Sequence, residues 1–215
     1  MTKNDGDLFE LPVALVDQTE LENVKLPSPE LAAFYDCFKN RVLYIDFEID
    51  NSLIDYAKYI LMWNKEDAGI PPEKRKPIKI MIFSKGGYLE PANMFVDVIS
   101  LSKTPVYGYN IGVSMSGAAI ILIACHKRYC LQNSTVLIHR GYADISGNAT
   151  DVLNSAENYK RDIEKMKNFI IGKTNITKQL FKKHESEDWF INAQDQLKLG
   201  IVDAVVDSID ELLNI

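Results

Sequence analysis

The sequence has few cysteines and no apolar run long enough to cross a membrane. Cys37, Cys125 and Cys130 include no Cys-x-x-Cys pair, which argues against a disulfide framework and against a zinc site. The N-terminus lacks the apolar segment of a signal peptide. We therefore expect a cytoplasmic protein that has no membrane segment and lies in a reducing compartment.

The chain also has fewer positively than negatively charged residues. Lys and Arg number 24 against 30 Asp and Glu, and no basic patch interleaves with aromatic residues. Nucleic acid is therefore not expected as a partner. With 47% hydrophobic residues among 215, the chain can bury one sizeable core. We expect an N-terminal arm at residues 1–27, too small to form a core alone, and a single domain at residues 28–215.

The alternation of predicted strands and helices indicates an α/β fold. Ile78–Phe83 is a nearly continuous apolar run, which is typical of a parallel strand covered on both faces. Right-handed crossovers would stack such strand and helix units around a shared core. A long helix is predicted at about residues 150–172, because apolar residues recur there at helical spacing and should form one buried stripe. The stripe consists of Val152, Ala156, Tyr159, Ile163, Met166 and Ile170.

A strand, a turn and a buried helix are predicted between residues 106 and 124. Val106–Ile111 has the composition of a strand, and Gly112 should turn the chain directly after it. The turn contains Ser114 and Ser116, and the apolar helix that begins near Ala118 would present its N-terminus to them. Unpaired N–H groups at a helix N-terminus can stabilise a developing oxyanion. The pattern favours a nucleophilic serine in this turn and leaves two candidates open.

His139 stands at the end of a later predicted strand and is a candidate general base. Serine with glycine often means only a turn, and a lone histidine at a strand end is more often a satisfied polar residue than a catalyst. Ser84–Gly87 ends another apolar strand with two glycines. These glycines either expose backbone N–H groups to a ligand or form a plain turn.

Gly172–Thr174 imitates the end of a phosphate-binding loop. Lys167 stands where that motif requires glycine, and a helix C-terminus repels phosphate. We therefore reject a nucleotide site there and expect neither a cofactor nor a bound metal.

Several motifs, in order along residues 40–206, resemble the proteolytic subunits of the Clp protease, the ClpP family. These motifs are Ser84–Gly87, Gly112–Ala119, Lys127–Ser134, Val136–His139, Gly147–Asp151, Glu187–Ile191 and Leu199–Asp203. The resemblance implies a ClpP/crotonase-like α/β fold, a spiral of repeated β-β-α units with a protruding helix-strand handle. It also implies a serine endopeptidase with a Ser-His-Asp triad that cleaves unfolded polypeptides.

The resemblance further implies an assembly and a partner. The family forms heptameric rings stacked face to face as a tetradecamer around an enclosed chamber, and depends on a hexameric AAA+ Clp unfoldase. The handle corresponds to the helix at about residues 150–172. The arm at residues 1–27 matches the family's axial-loop region poorly.

Site residues are carried over by position. His139 matches the family histidine, Asp188 the aspartate that orients it, and Gly87 an oxyanion N–H donor. Counting back from His139 without a gap selects Ser114 as the nucleophile. Counting forward from Gly87 selects Ser116 and places a two-residue deletion in the turn near residue 126, as in ClpP-like proteins of phage type. Because turns absorb deletions more easily than buried helices, we choose Ser116, with its neighbour Gly117 as the second oxyanion donor.

Some positions depart from the family pattern. Lys85 replaces the usual proline, Gly117 the usual methionine, Ala118 the usual glycine, and Arg140 the usual glutamine. Backbone donors survive such changes, but side-chain pockets do not, so substrate preference is left open.

Three alternative functions share parts of this pattern. A crotonase-class acyl-CoA enzyme has the same fold and needs no triad. A signal-peptide-peptidase-like enzyme would need a membrane anchor and a lysine base. An inactive or partner-dependent ClpP-like ring subunit would lack independent catalysis.

Overall fold

The computed structural model describes residues 28–214, so the arm predicted at residues 1–27 lies outside the described residues. The chain divides into two units between Cys37 and Phe38, and the sheet and the candidate site lie in the second unit. Among residues 28–214, no helix is both long and apolar enough to span a membrane.

A seven-stranded sheet forms the centre of the larger unit. Five parallel strands lie side by side in the order β1, β2, β3, β4, β7, while β5 pairs with β3 and β6 pairs antiparallel with β5. The strands are β1 (Val42–Ile45), β2 (Ile78–Ser84), β3 (Val106–Met115), β4 (Lys127–Leu131), β5 (Thr135–Ile138), β6 (Trp189–Asn192) and β7 (Ala204–Val206). The predicted α/β fold with a largely parallel sheet is confirmed by this architecture.

The described chain also contains eight α-helices and one 3-10 helix. The α-helices are α1 (Pro29–Lys39), α2 (Leu53–Glu66), α3 (Leu89–Leu101), α4 (Gly117–Ala124), α5 (Ala149–Lys173), α6 (Lys178–His184), α7 (Ala193–Lys198) and α8 (Ile209–Asn214), and Pro72–Lys74 is the 3-10 helix. Every residue of α4 is buried, which fixes this helix in the core beneath the sheet. The apolar composition of α4 therefore predicts its position correctly.

The end of β3 differs from the prediction. The strand does not turn at Gly112 but continues to Met115, because Val113, Ser114 and Met115 pair in register with residues of β5. Gly112 instead leaves room for the ring of Phe83, which would lie 2.5 Å from an added Cβ. The chain turns at Ser116. Thus β3 pairs with β4 in its first half and with β5 in its second.

The apolar stripe of α5 is not buried as predicted. Only Ile170 is buried; Tyr159, Ile163 and Met166 are half-buried, and Ala156 is exposed. The reason is that this face of α5 lines an open cleft beside the sheet rather than the core. The helix begins at the cap residue Asn148, whose side chain accepts a hydrogen bond from the N–H of Asp151.

Candidate active site

Ser116 occupies the sharp turn between β3 and α4. Its backbone has φ 52° and ψ −121°, and among residues 28–214 only one other non-glycine residue has a positive φ. Such a conformation costs about 1–3 kcal/mol and persists only where the surrounding structure holds it. The Ser116 N–H donates a hydrogen bond of 2.9 Å to the carbonyl of Leu137 in β5. The hydroxyl therefore stands at the N-terminus of a fully buried helix.

His139 follows β5 directly, and this strand places it beside Ser116. The His139 Nε2 and Ser116 Oγ atoms are 2.8 Å apart, which is a hydrogen bond. Since Met115 pairs with Leu137, the two residues that follow the paired strands emerge at the same edge of the sheet. The sequence predicts both residues, and the sheet brings them together.

Asp188 immediately precedes β6, the antiparallel neighbour of β5. Ile138 pairs with Trp189, so His139 and Asp188 lie at one end of this ladder. The His139 Nδ1 and Asp188 Oδ1 atoms are 3.4 Å apart, and 48% of the Asp188 side chain is exposed against 12% for His139. This separation exceeds that of a charge-assisted hydrogen bond, about 2.7–2.9 Å. The contact is therefore an electrostatic one at the protein surface.

Side-chain pairs hold the segment that precedes Asp188. His184 stacks on the ring of Trp189 with centroids 4.3 Å apart, and its Nδ1 lies 2.5 Å from Glu187. Arg140 forms an ion pair of 3.1 Å with Glu185. Sequence reasoning missed these contacts, although the departure of Arg140 from the family pattern is visible in the sequence. The ion pair therefore connects Arg140, the residue after His139, to the segment that precedes Asp188.

Gly86 and Gly87 form a loop that packs against the turn at Ser116. A Cβ added to Gly86 would lie 2.5 Å from the Met115 carbonyl oxygen and 2.7 Å from the Ser116 Cβ, so only glycine fits. The loop is also bound to Ile49, whose N–H donates to the Gly86 carbonyl at 2.9 Å and whose carbonyl accepts from the Tyr88 N–H at 2.8 Å.

These bonds orient the backbone of Gly87. Gly87 pairs with Ile49 in a parallel bridge. In such a bridge Gly86 and Tyr88 make the hydrogen bonds to Ile49, and the N–H of Gly87 between them points away from Ile49. A Cβ on Gly117 would lie 3.8 Å from the Gly87 nitrogen. The two predicted oxyanion donors are therefore neighbours beside Ser116.

Ser114, the alternative nucleophile, lies inside β3. Its exposed fraction is 0%, and its hydroxyl has no hydrogen-bond partner among residues 28–214. It pairs in register with Ser84 of β2 and with Val136 of β5. The structure therefore brings His139 to Ser116 and not to Ser114.

An open cleft of about 1320 Å³ runs past this constellation. Its wall includes Ser116, His139, Gly87 and the half-buried face of α5. This volume exceeds the ~300–1,000 Å³ of common small-molecule pockets. The cleft is therefore large enough for an extended chain segment.

Cys125, Cys130 and His126 also carry groups capable of chemistry, but none of the three lines this cleft. Burial raises the pKa of the Cys125 thiol to about 12 and also raises the pKa of Cys130, so both thiols stay protonated near neutral pH. His126 accepts a hydrogen bond from the Val106 N–H. No three His, Cys, Asp or Glu side chains within residues 28–214 come together as ligands for a metal ion.

Comparisons with known proteins place this chain in a family. Residues 33–209 match the family described as Clp protease. An ATP-dependent Clp protease proteolytic subunit 2 of Bacillus licheniformis is 30% identical over 179 residues, which cover 80% of this chain and 91% of that protein. An ATP-dependent Clp protease proteolytic subunit from Paracoccus denitrificans is 30% identical over 64% of this chain and 70% of that protein.

A solved structure agrees with the fold. A single-residue mutant of ClpP1 from Listeria monocytogenes superimposes with a TM-score of 0.71 at 23% identity, and the match covers 84% of this chain and 99% of that chain.

Proposed function

Since this chain belongs to the Clp protease family, we propose that it cleaves peptide bonds with Ser116 as nucleophile, His139 as general base and Asp188 as the residue that orients His139. The family and its curated members support the role of a Clp-type serine protease. The observation that carries the assignment of residues is the 2.8 Å contact between His139 Nε2 and Ser116 Oγ at the wall of an open cleft.

The first half of the proposed reaction forms an acyl-enzyme. Ser116 Oγ attacks the scissile carbonyl carbon while His139 Nε2 takes the hydroxyl proton. The Asp188 carboxylate stabilises the imidazolium that results. The negative charge that develops on the carbonyl oxygen is stabilised by the N–H groups of Gly87 and Gly117. His139 then gives its proton to the leaving amine, the peptide bond breaks, and an ester to Ser116 remains.

The second half releases the product. A water molecule loses a proton to His139 and attacks the ester carbon, again with the oxyanion held by Gly87 and Gly117. The intermediate collapses, His139 returns the proton to Ser116 Oγ, and the peptide leaves as a carboxylic acid. The positive φ of Ser116 supports this role because it turns the hydroxyl out of the line of β3.

We also propose how the subunit works with others. The relatives are proteolytic subunits of ATP-dependent proteases. In this chain Gly172–Thr174 lies at the C-terminal end of α5, the helix end that repels phosphate. A separate AAA+ Clp unfoldase would therefore hydrolyse ATP and supply unfolded polypeptide to heptameric rings, stacked as a tetradecamer, in the cytoplasm. Measurement of the particle mass in solution tests the stoichiometry.

The acyl-CoA alternative is less well supported by the geometry. An oxyanion hole of two backbone N–H groups could serve either class, but only the peptidase requires a histidine bonded to the serine hydroxyl. Labelling by a serine-reactive phosphonate separates the two functions. We expect stoichiometric labelling at Ser116; acyl-CoA turnover without labelling would support the alternative.

The matched pair Ser116→Ala and Ser114→Ala tests the nucleophile. We expect Ser116→Ala to lose hydrolysis of a fluorogenic peptide by at least about 1,000-fold, with the particle mass unchanged. Ser114→Ala should retain most activity, because its hydroxyl makes no hydrogen bond among the described residues. Full activity in Ser116→Ala together with loss in Ser114→Ala would reverse the assignment.

A further inference from the structure

Ser84, the last residue of β2, has a hydroxyl that bonds in two directions. The side chain is buried, with 3% of the residue exposed. Its Oγ donates a hydrogen bond of 2.6 Å to the Phe47 carbonyl and accepts one of 3.2 Å from the Gly86 N–H. The hydroxyl therefore joins the segment that follows β1 to the glycine loop beside Ser116.

The same two segments are joined a second time through Ile49. Its N–H and carbonyl bind Gly86 and Tyr88, on either side of Gly87. Ser84 and Ile49 thus hold the loop from two directions, one through a side chain and one through the backbone. Two consecutive glycines have wide conformational freedom, and the positive φ of both, 93° and 155°, must be imposed by such contacts.

Ser114 provides a comparison within the same sheet. It is the register partner of Ser84 on β3 and is equally buried, with 0% exposed. Its hydroxyl bonds to nothing within residues 28–214. Two buried serines therefore occupy paired positions on adjacent strands, and the hydroxyl of only one of them is bonded to the glycine loop.

We propose that Ser84 is a positioning residue that fixes the Gly87 N–H in place to receive the oxyanion. The inference rests on the proposed peptidase function, because it assigns a task to the loop only if an oxyanion forms at Ser116. Ser84 does not touch the substrate; it acts through Gly86, whose backbone leads directly into Gly87.

The chemistry sets the size of the effect. Loss of one oxyanion donor costs about 100- to 1,000-fold in kcat, and a displacement of ~1 Å costs about 100-fold. Without the Ser84 hydroxyl, the glycine loop keeps its backbone hydrogen bonds to Ile49 but loses the hydrogen bond that the Gly86 N–H donates to Ser84. We expect Ser84→Ala to lower kcat about 10- to 100-fold, with KM changed less than about threefold, because the donor acts in the transition state rather than on the bound substrate.

The test compares Ser84→Ala with Ser114→Ala on a fluorogenic peptide. Both changes remove one buried hydroxyl from neighbouring strands, but only the Ser84 hydroxyl is bonded to the glycine loop. The pair therefore separates loss of that bond from loss of a buried hydroxyl as such. We expect kcat to fall only in Ser84→Ala. Equal kcat values for the two variants would overturn the proposal. Both variants are assayed well below their thermal unfolding temperatures. The particle mass of each is measured first and must equal that of the wild type.

A second readout separates positioning from simple loss of structure. A peptide boronate forms a tetrahedral adduct with the nucleophile and places an oxygen in the oxyanion site, whereas the ground-state substrate does not. In Ser84→Ala the boronate inhibition constant should rise about as much as kcat falls, while KM stays nearly constant. An inhibition constant that follows KM instead would assign Ser84 a structural role only.

Conservative variants keep the test decisive if the alanine form does not assemble. Ser84→Thr retains the hydroxyl and suits a strand, and should recover kcat to within about fivefold of wild type; Ser84→Cys leaves only a weak donor and should show an intermediate loss. Wild-type kcat in Ser84→Cys, or a Ser84→Thr as impaired as Ser84→Cys, would refute the proposal. Absence of peptidase activity in the wild-type particle would instead refute the proposed function itself.

Discussion

The two partners of His139 lie in very different surroundings. Ser116 is held by a buried helix, by a backbone hydrogen bond to β5 and by close packing of Gly86. Asp188 is 48% exposed, lies 3.4 Å from the imidazole, and follows a segment held by side-chain pairs at the surface. The end of the site that holds the proposed nucleophile is therefore preorganised by backbone packing, whereas the carboxylate end depends on weaker contacts that solvent and salt can reach.

The largest effect should come from breaking the buried end. Gly86→Ala places a methyl 2.5 Å from the Met115 carbonyl oxygen, so the loop or the turn at Ser116 must move. We expect kcat/KM for a fluorogenic peptide to fall about 1,000-fold, since both a donor and the nucleophile are displaced. Gly69→Ala is the matched control, because Gly69 has the same φ of 93° but open space around an added Cβ. Similar activity in both variants would contradict the role of packing.

Loss of the carboxylate should have a smaller effect. Asp188→Asn removes the charge that stabilises the imidazolium, but the long and exposed contact contributes less than the ~10,000-fold of a buried triad aspartate. We expect kcat to fall about 100-fold. Glu187→Gln neutralises the adjacent exposed carboxylate and weakens its contact with His184, and should lower kcat by no more than about fivefold. The comparison fails if Asp188→Asn is as impaired as Gly86→Ala.

The ion pair between Arg140 and Glu185 should contribute least to catalysis. Exposed pairs are worth about 0.2–1 kcal/mol, so Arg140→Gln and Glu185→Gln should each lower kcat/KM about two- to fivefold. The exchange Arg140→Glu with Glu185→Arg should restore part of the loss. High salt should lower wild-type activity towards that of the single variants. Wild-type activity that does not respond to salt would argue against control of the Asp188 segment by this pair.

A last, small effect concerns stability at the end of the buried helix. The pKa of His126 is lowered, first by desolvation and then by repulsion from Lys173. The unfolded chain therefore takes up a proton at a higher pH than the folded chain does. Stability from this group is fully present above about pH 6.5, the ordinary pKa of histidine, and is lost as pH falls towards the lowered value. Denaturant titrations across this range should show a weaker pH dependence in His126→Gln.

Sequence reasoning found the side chains that meet at the site but not what holds them. His139 stands at the end of a predicted strand and is a candidate from the residues themselves, whereas Asp188 is assigned only by resemblance to the ClpP family, because no local pattern marks it as a partner of His139. The choice of Ser116 over Ser114 rests in the sequence on the register with Gly87, and the end of β3 supplies the physical reason for it. Two residues apart, both serines would face the same way in a continuous strand, and only the positive φ at Ser116 separates them.

The supporting contacts join residues too far apart for local patterns to reveal. Ser84 binds the carbonyl of Phe47, 37 positions earlier, and Arg140 pairs with Glu185 across the whole of α5. The prediction for the stripe of α5 is wrong for a related reason: helical spacing identifies one apolar face, but a wall of an open cleft and a buried core produce the same pattern.

The divided pairing of β3 has a mechanical consequence. The serine and the histidine are carried on strands joined by hydrogen bonds, and a slip of β5 by one position would turn the imidazole to the opposite face of the sheet. Alignment of these two groups is thus a discrete property of the ladder: it is either correct or entirely absent. The contact with Asp188, in contrast, lies at the surface and can lengthen by small steps without disturbing the core.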